Sequence, residues 1–114
     1  MISELDLRML NAMLEKCDKL IEIGSRFTGE EIEKDFIYSD SVQYEFEKLY
    51  EDSARLSEEI KNNHPELHID DLRGIRNRVA HAYESVSLNI LLDTIRNDIP
   101  TLRQTILNFL QQKQ

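Results

Sequence analysis

The chain has 114 residues, 40% of them apolar and 32% charged, and a formal net charge of −8. That length holds one hydrophobic core, so a single domain over 1–114 is expected, and the acidic balance argues against a general nucleic-acid binder that works by neutralising phosphates. No apolar run approaches the roughly 20 residues of a membrane span, the charged opening (Glu4, Asp6, Arg8) is unlike a secretory leader, and a single cysteine permits no internal disulfide, which together predict a cytoplasmic protein.

Only 3 Gly and 2 Pro punctuate the sequence, and no segment alternates like a strand, so long helices are expected throughout. Ser3 followed by Asp6 reads as a capping-box variant opening the first helix. Leu10, Met13, Cys17 and Leu20 then recur at three- and four-residue steps, with Cys17 a core residue and Gly24 a natural stop just past the helix. Thr28 is placed to cap a short second helix running through Glu31 to Phe36. Asp40 or Ser41 opens a long one with an apolar stripe of Val42, Phe46, Leu49, Ser53, Leu56 and Ile60, the seam of antiparallel bundle packing. Asn62-Asn63-His64-Pro65 ends it, because proline disfavours helix at the residue before it. His64 and His68 have metal-ligand spacing, but Pro65 intervenes and no thiols accompany them, so no metal site and no cofactor is expected. Between Glu30 and Glu59 lie eleven acids and three bases, which accounts for the whole charge excess. A solvated face explains that segment most simply.

Asp70 or Asp71 opens the next helix, from about Leu72 to Tyr83. This stretch contains no acid and carries Arg73, Arg76 and Arg78, a basic island in an acidic chain. At about 100° per residue Asn77 and His81 are neighbours four apart, and Arg76 and Tyr83 share a second stripe. Arg76 and His81 point about 140° apart, so one copy makes a loose pair. A second copy across a two-fold axis closes the gap. The chemistry that such a set supports is RNA cleavage by the ribose 2′-hydroxyl. It needs a base, an acid for the leaving oxygen and positive charge on the phosphorane. His81 is the side-chain type that titrates near neutrality, and Arg76 supplies a permanent planar donor fork. Asn77 is expected to orient His81 or hold a phosphate oxygen, with Arg73 and Arg78 as supporting cations. Tyr83 packs, stacks on a base, or presents its hydroxyl for modification. The competing reading assigns the Arg-Asn-His set to hydrogen bonds inside the core. Ser85 or Ser87 caps the final helix, with Leu88, Leu91, Leu92, Ile95, Leu102, Ile106, Phe109 and Leu110 inward. Pro100 must kink it or begin a new segment capped by Asp98.

Gly74-Ile75-Arg76-Asn77-Arg78-Val79-Ala80-His81-Ala82-Tyr83 resembles the G-x-R-N-x-x-x-H-x-Y signature of HepT-like proteins in the HEPN superfamily, the toxin halves of toxin–antitoxin pairs. Asp40-Ser41-Val42, Arg55-Leu56-Ser57-Glu58-Glu59, His64-Pro65-Glu66 and Ile99-Pro100-Thr101-Leu102 resemble further family segments in the correct order. The resemblance implies an all-α antiparallel helical bundle that forms a symmetric homodimer. It also implies a metal-independent endoribonuclease acting on RNA, with no DNA or membrane partner. Arg76 and His81 match the catalytic pair, and Asn77 matches its polar companion. Tyr83 matches the tyrosine that a minimal nucleotidyltransferase antitoxin adenylylates. The chain departs from the family at Tyr44, and at Leu49-Tyr50-Glu51-Asp52, where a glycine is usual at the second position. Tyr44, Tyr50 and Glu51 are therefore candidate cleft residues. Such departures also favour the alternative of a catalytically inactive subunit that binds a nucleotidyltransferase or its substrate.

Overall fold

A computed structural model describes residues 2–85 and 88–113; the side chains of 82–89 and of residue 113 lie outside what it describes. The described residues are helical almost throughout and contain no strand, so the fold is an all-α bundle. Helix α1 (Glu4–Arg26) starts at Ser3, whose hydroxyl accepts the Asp6 N–H at 3.1 Å. Helix α2 (Gly29–Lys34) carries a complete capping box between Thr28 and Glu31. Helix α3 (Phe36–Ala54) begins four residues ahead of the expected Asp40. Asp35 accepts the Ile37 N–H at 2.9 Å and supplies the cap. Phe36 and Ile37, both exposed, do not continue the apolar stripe, which is why periodicity gave no sign of that first turn.

The stripe from Val42 to Ile60 is buried at all six positions, yet one helix does not carry it. The chain bends at Arg55-Leu56-Ser57 and restarts as α4 (Glu58–Asn63), capped by Ser57. Asp6 explains the break. Its carboxylate is buried and accepts the Ser57 N–H at 2.8 Å and the Ser57 hydroxyl at 2.6 Å, while Ser57 Oγ accepts the Ile60 N–H at 3.3 Å. Asp6 thus caps a helix some fifty residues away rather than completing a box with Ser3. Burial alone would raise its pKa, but the hydrogen bonds from Ser57, with that of Ser3, outweigh burial and hold the carboxyl below its ordinary value. Asp6→Asn is expected to cost about 1–3 kcal/mol of stability, read by urea unfolding at neutral pH. Because the folded-state pKa is lowered, this contribution is complete above the ordinary carboxylate value of 3.8 and disappears as pH falls through the folded-state value.

A 3₁₀ turn (Pro65–Leu67) and a left-handed His68 (φ 53°) lead into α5 (Ile69–Ser85), which starts slightly ahead of the expected Asp70. Ser85 lies in α5, and Ser87, the other candidate cap of the last helix, lies outside the described residues. Helix α6 (Leu88–Asp93), a π-helical turn (Thr94–Asp98) and α7 (Ile99–Lys113) follow without a break, Asp93 and Ile99 both keeping right-handed helical angles. Pro100 therefore neither stops the helix nor takes Asp98 as a cap. The Ile99 N–H reaches back to the Thr94 carbonyl, and this widened turn accommodates a proline that donates no hydrogen bond.

Helix α1 packs on α3 and α7, and α5 packs on the far side of α3 and against α6. Gly24 is buried inside α1, not beyond its end. A Cβ there would sit 2.5 Å from Ile95 Cγ2, so the glycine permits close approach to the last helix. Cys17 is fully buried, and burial pushes its thiol up to about 12. It is a core residue.

Candidate functional site

Helix α5 anchors itself with Leu72, Ile75 and Val79, spaced three and four apart, with Ile69 partly buried against the same core, and turns its other described side chains outward. Arg73, Arg76, Asn77, Arg78 and His81 are all exposed, so the set does not serve core hydrogen bonding. Tyr83 lies in the last turns of α5, its side chain outside the described residues.

The basic residues divide between two flanks. On the α3 flank the Arg76 guanidinium lies over the Tyr50 ring, 5.1 Å from its centroid, and Arg76 Nε donates to Glu47 Oε1 at 3.4 Å. The ring fixes one face of the planar cation. The Glu47 pair, with about two fifths of each side chain exposed, is the kind worth roughly 0.2–1 kcal/mol in water. A phosphate with its own full charge displaces such a partner readily. Glu47 escaped the sequence reading as a partner of Arg76, although one stripe of α3 carries it with Tyr50 and Glu51 (steps of three and four). Only the relative placement of α3 and α5 identifies the pair.

On the opposite flank Arg78 donates to Asp98 at 2.9 Å. That bond reaches across a cleft of about 600 Å³ between α5 and α7, floored by Leu67, Leu72, Ile75 and Leu102. Arg78 is thus directed away from Arg76. Arg73 returns to the α3 flank, where with Tyr50, Lys61 and Asp70 it lines a second cavity of about 320 Å³. Of the three cleft candidates on α3, Tyr50 alone has a described contact with the motif. Tyr44 and Glu51 instead surround Lys48, whose ammonium is 5.4 Å from the Tyr44 centroid and 3.1 Å from Glu51 Oε2. The Glu51 hydrogen bond raises the Lys48 pKa above its ordinary value. His64 packs edge-on against Phe109 at 5.0 Å, and His68 lies beside Asp71 at 3.7 Å, so each ring has local structural company.

Chemically, α5 presents a fixed cation, an amide and an imidazole on one exposed helix, with an aromatic platform beneath the cation. Comparison with known proteins places the chain in a family. A model described as "Ribonuclease HepT-like" matches residues 13–109. The "Probable ribonuclease HepT" of Thermococcus cleftensis is 30% identical over 94 residues, covering 79% of this chain and 86% of that one. A protein of Caldanaerobacter subterraneus subsp. tengcongensis with the provisional name RNase TTE0752 is 26% identical over 104 residues, covering 91% and 93%. No solved structure matches the chain. The matched region contains the whole of α3 and α5 and most of α7, and the chain belongs to the HepT-like ribonuclease family.

Proposed function

We propose that the protein is a metal-independent endoribonuclease, the toxin of a toxin–antitoxin pair, in which Arg76 holds the scissile phosphate and His81 moves the proton. The observation that carries this reading is the state of Arg76. It is seated on Tyr50, exposed, and among the described residues held by a weak carboxylate partner that a phosphate can replace. Family membership supports it, as do relatives that carry ribonuclease names.

In the reaction the ribose 2′-oxygen gives up its proton to a base and bonds to phosphorus, and the bond from phosphorus to the 5′-oxygen breaks as that oxygen takes up a proton. The products are a 2′,3′-cyclic phosphate and a 5′-hydroxyl. Arg76 offers its donor fork to the non-bridging oxygens as charge builds on them. One chain supplies one such imidazole, and the reaction uses a base and an acid. A symmetric homodimer with facing α5 helices supplies both from two copies of His81. Silencing is by adenylylation of Tyr83 by a nucleotidyltransferase antitoxin, which sets a negatively charged group near Arg76.

Incubation of the purified protein with RNA in excess EDTA tests the chemistry. Undiminished cleavage with 2′,3′-cyclic phosphate ends is expected. Chelator-sensitive cleavage leaving 5′-phosphates would replace this mechanism with a metal-dependent one.

A further inference from the structure

The 320 Å³ cavity between the end of α3, α4 and the first turns of α5 is not used by the catalytic pair. Tyr50, Ala54, Lys61, Ile69, Asp70 and Arg73 line it. Within the basic island Arg76 and Arg78 each face a carboxylate, whereas Arg73 has no hydrogen-bond or ion-pair partner among the described residues. Lys61 is partly buried, 29% exposed, and its ammonium is fixed by the Ala54 carbonyl at 2.9 Å. That bond uses one of three donors and holds the charge at the cavity wall, with Glu58 further off at 4.0 Å. A placed lysine and an unpaired arginine converge on a hollow that also has an aromatic wall.

The cavity is continuous with the catalytic residue. Tyr50 lines it and also lies beneath the Arg76 guanidinium. Arg73 precedes Arg76 by three residues, an offset of about 4.5 Å along the helix axis. Two cations less than one turn apart on one helix thus lie along the path of a single strand. Asp70 limits the ligand. Its carboxylate repels a dense polyanion such as a triphosphate, yet tolerates one phosphate held by two cations.

We infer that this cavity is a nucleotide subsite of the RNA substrate. It takes the phosphate adjacent to the scissile one on Lys61 and Arg73, with the neighbouring base against Tyr50. The inference rests on the ribonuclease reading for its substrate and adds the residues that set the register of the strand across Arg76. It also gives the Tyr50 substitution a use, since the ring serves both the catalytic cation and the adjoining hollow.

The test uses the full chain, a single-stranded RNA of about 12 nucleotides, within the site sizes of known single-strand binders, and its 2′-O-methyl counterpart, which binds but lacks the attacking hydroxyl. In K61A/R73A the KM for the RNA should rise about tenfold while kcat changes less than about twofold. The slope of log affinity for the 2′-O-methyl strand against log salt should become shallower by about 0.7, the value of one single-strand phosphate contact. Arg73→Lys should keep the wild-type slope, and matching circular-dichroism melts exclude a folding defect. Wild-type cleavage with KM and slope unmoved in the double variant overturns the subsite, as does a fall in kcat at constant KM. Binding that depends on Lys61 and Arg73 without any cleavage keeps the subsite and discards the ribonuclease reading. Neither binding nor cleavage by the wild type discards both.

Discussion

His81→Ala should lower RNA cleavage by about 10²–10⁴-fold, the usual cost of losing a positioned proton-transfer group, while leaving the thermal melt unchanged. His81 is exposed on α5, and the core contacts of that helix are made by Leu72, Ile75 and Val79. Arg76→Ala should cost about 10²–10³-fold through lost stabilisation of the phosphorane. It should also release Glu47 and uncover the Tyr50 ring, both of which the guanidinium engages. Arg76→Lys tests the geometry apart from the charge. An ammonium keeps the positive charge but not the planar fork, so it should recover only part of the rate. Wild-type cleavage rates in both alanine variants would remove the proposed catalytic pair.

The second large effect concerns silencing. Tyr83→Phe should keep most of the cleavage, because no proton transfer in the proposed mechanism passes through the phenol. Co-expressed with a cognate nucleotidyltransferase antitoxin, the wild-type chain should gain mass in whole AMP increments and lose activity. The phenylalanine variant should show neither change and should be the more toxic of the two. Each AMP brings a phosphodiester charge and considerable bulk to the neighbourhood of Arg76, so occlusion and repulsion act together. Intact-mass spectrometry decides the matter. An adduct that persists in Tyr83→Phe places the modification elsewhere, and an unmodified wild type beside an active partner leaves control by binding alone.

Local signals in the sequence were reliable where the physics is local. The Thr28 cap and the buried seam from Val42 to Ile60 both depend on side chains a few residues apart, and both are present in the structure. The errors arose where one residue type serves two ends. Gly24 reads as a helix stop, but its value lies in the missing Cβ against Ile95, a neighbour seventy residues on. Asp98 reads as a cap and is instead a counter-ion for Arg78. Pro100 reads as a kink or a new start, and a π turn carries the helix through it without a new start. The family was legible because its motif is contiguous in α5. Of the site's surroundings Tyr50 was legible as a cleft candidate, whereas Glu47 and Lys61 were not, because they come near the basic residues of α5 only through the tertiary arrangement of α3, α4 and α5.

The modest anchorage of α5 has a consequence for how this protein tolerates change. Helix α1 commits Met9, Leu10, Met13, Cys17 and Leu20 to the core, whereas the described part of α5 commits three side chains and otherwise rests on pairs such as Arg78–Asp98 at the rim of an open cleft. Foldability and surface chemistry are therefore written in separate parts of the chain. Substitutions along the outward face of α5 should be nearly neutral for folding, so what constrains that face is its chemistry rather than the stability of the fold. The α1–α3–α7 body meanwhile stays under the stricter demands of close packing.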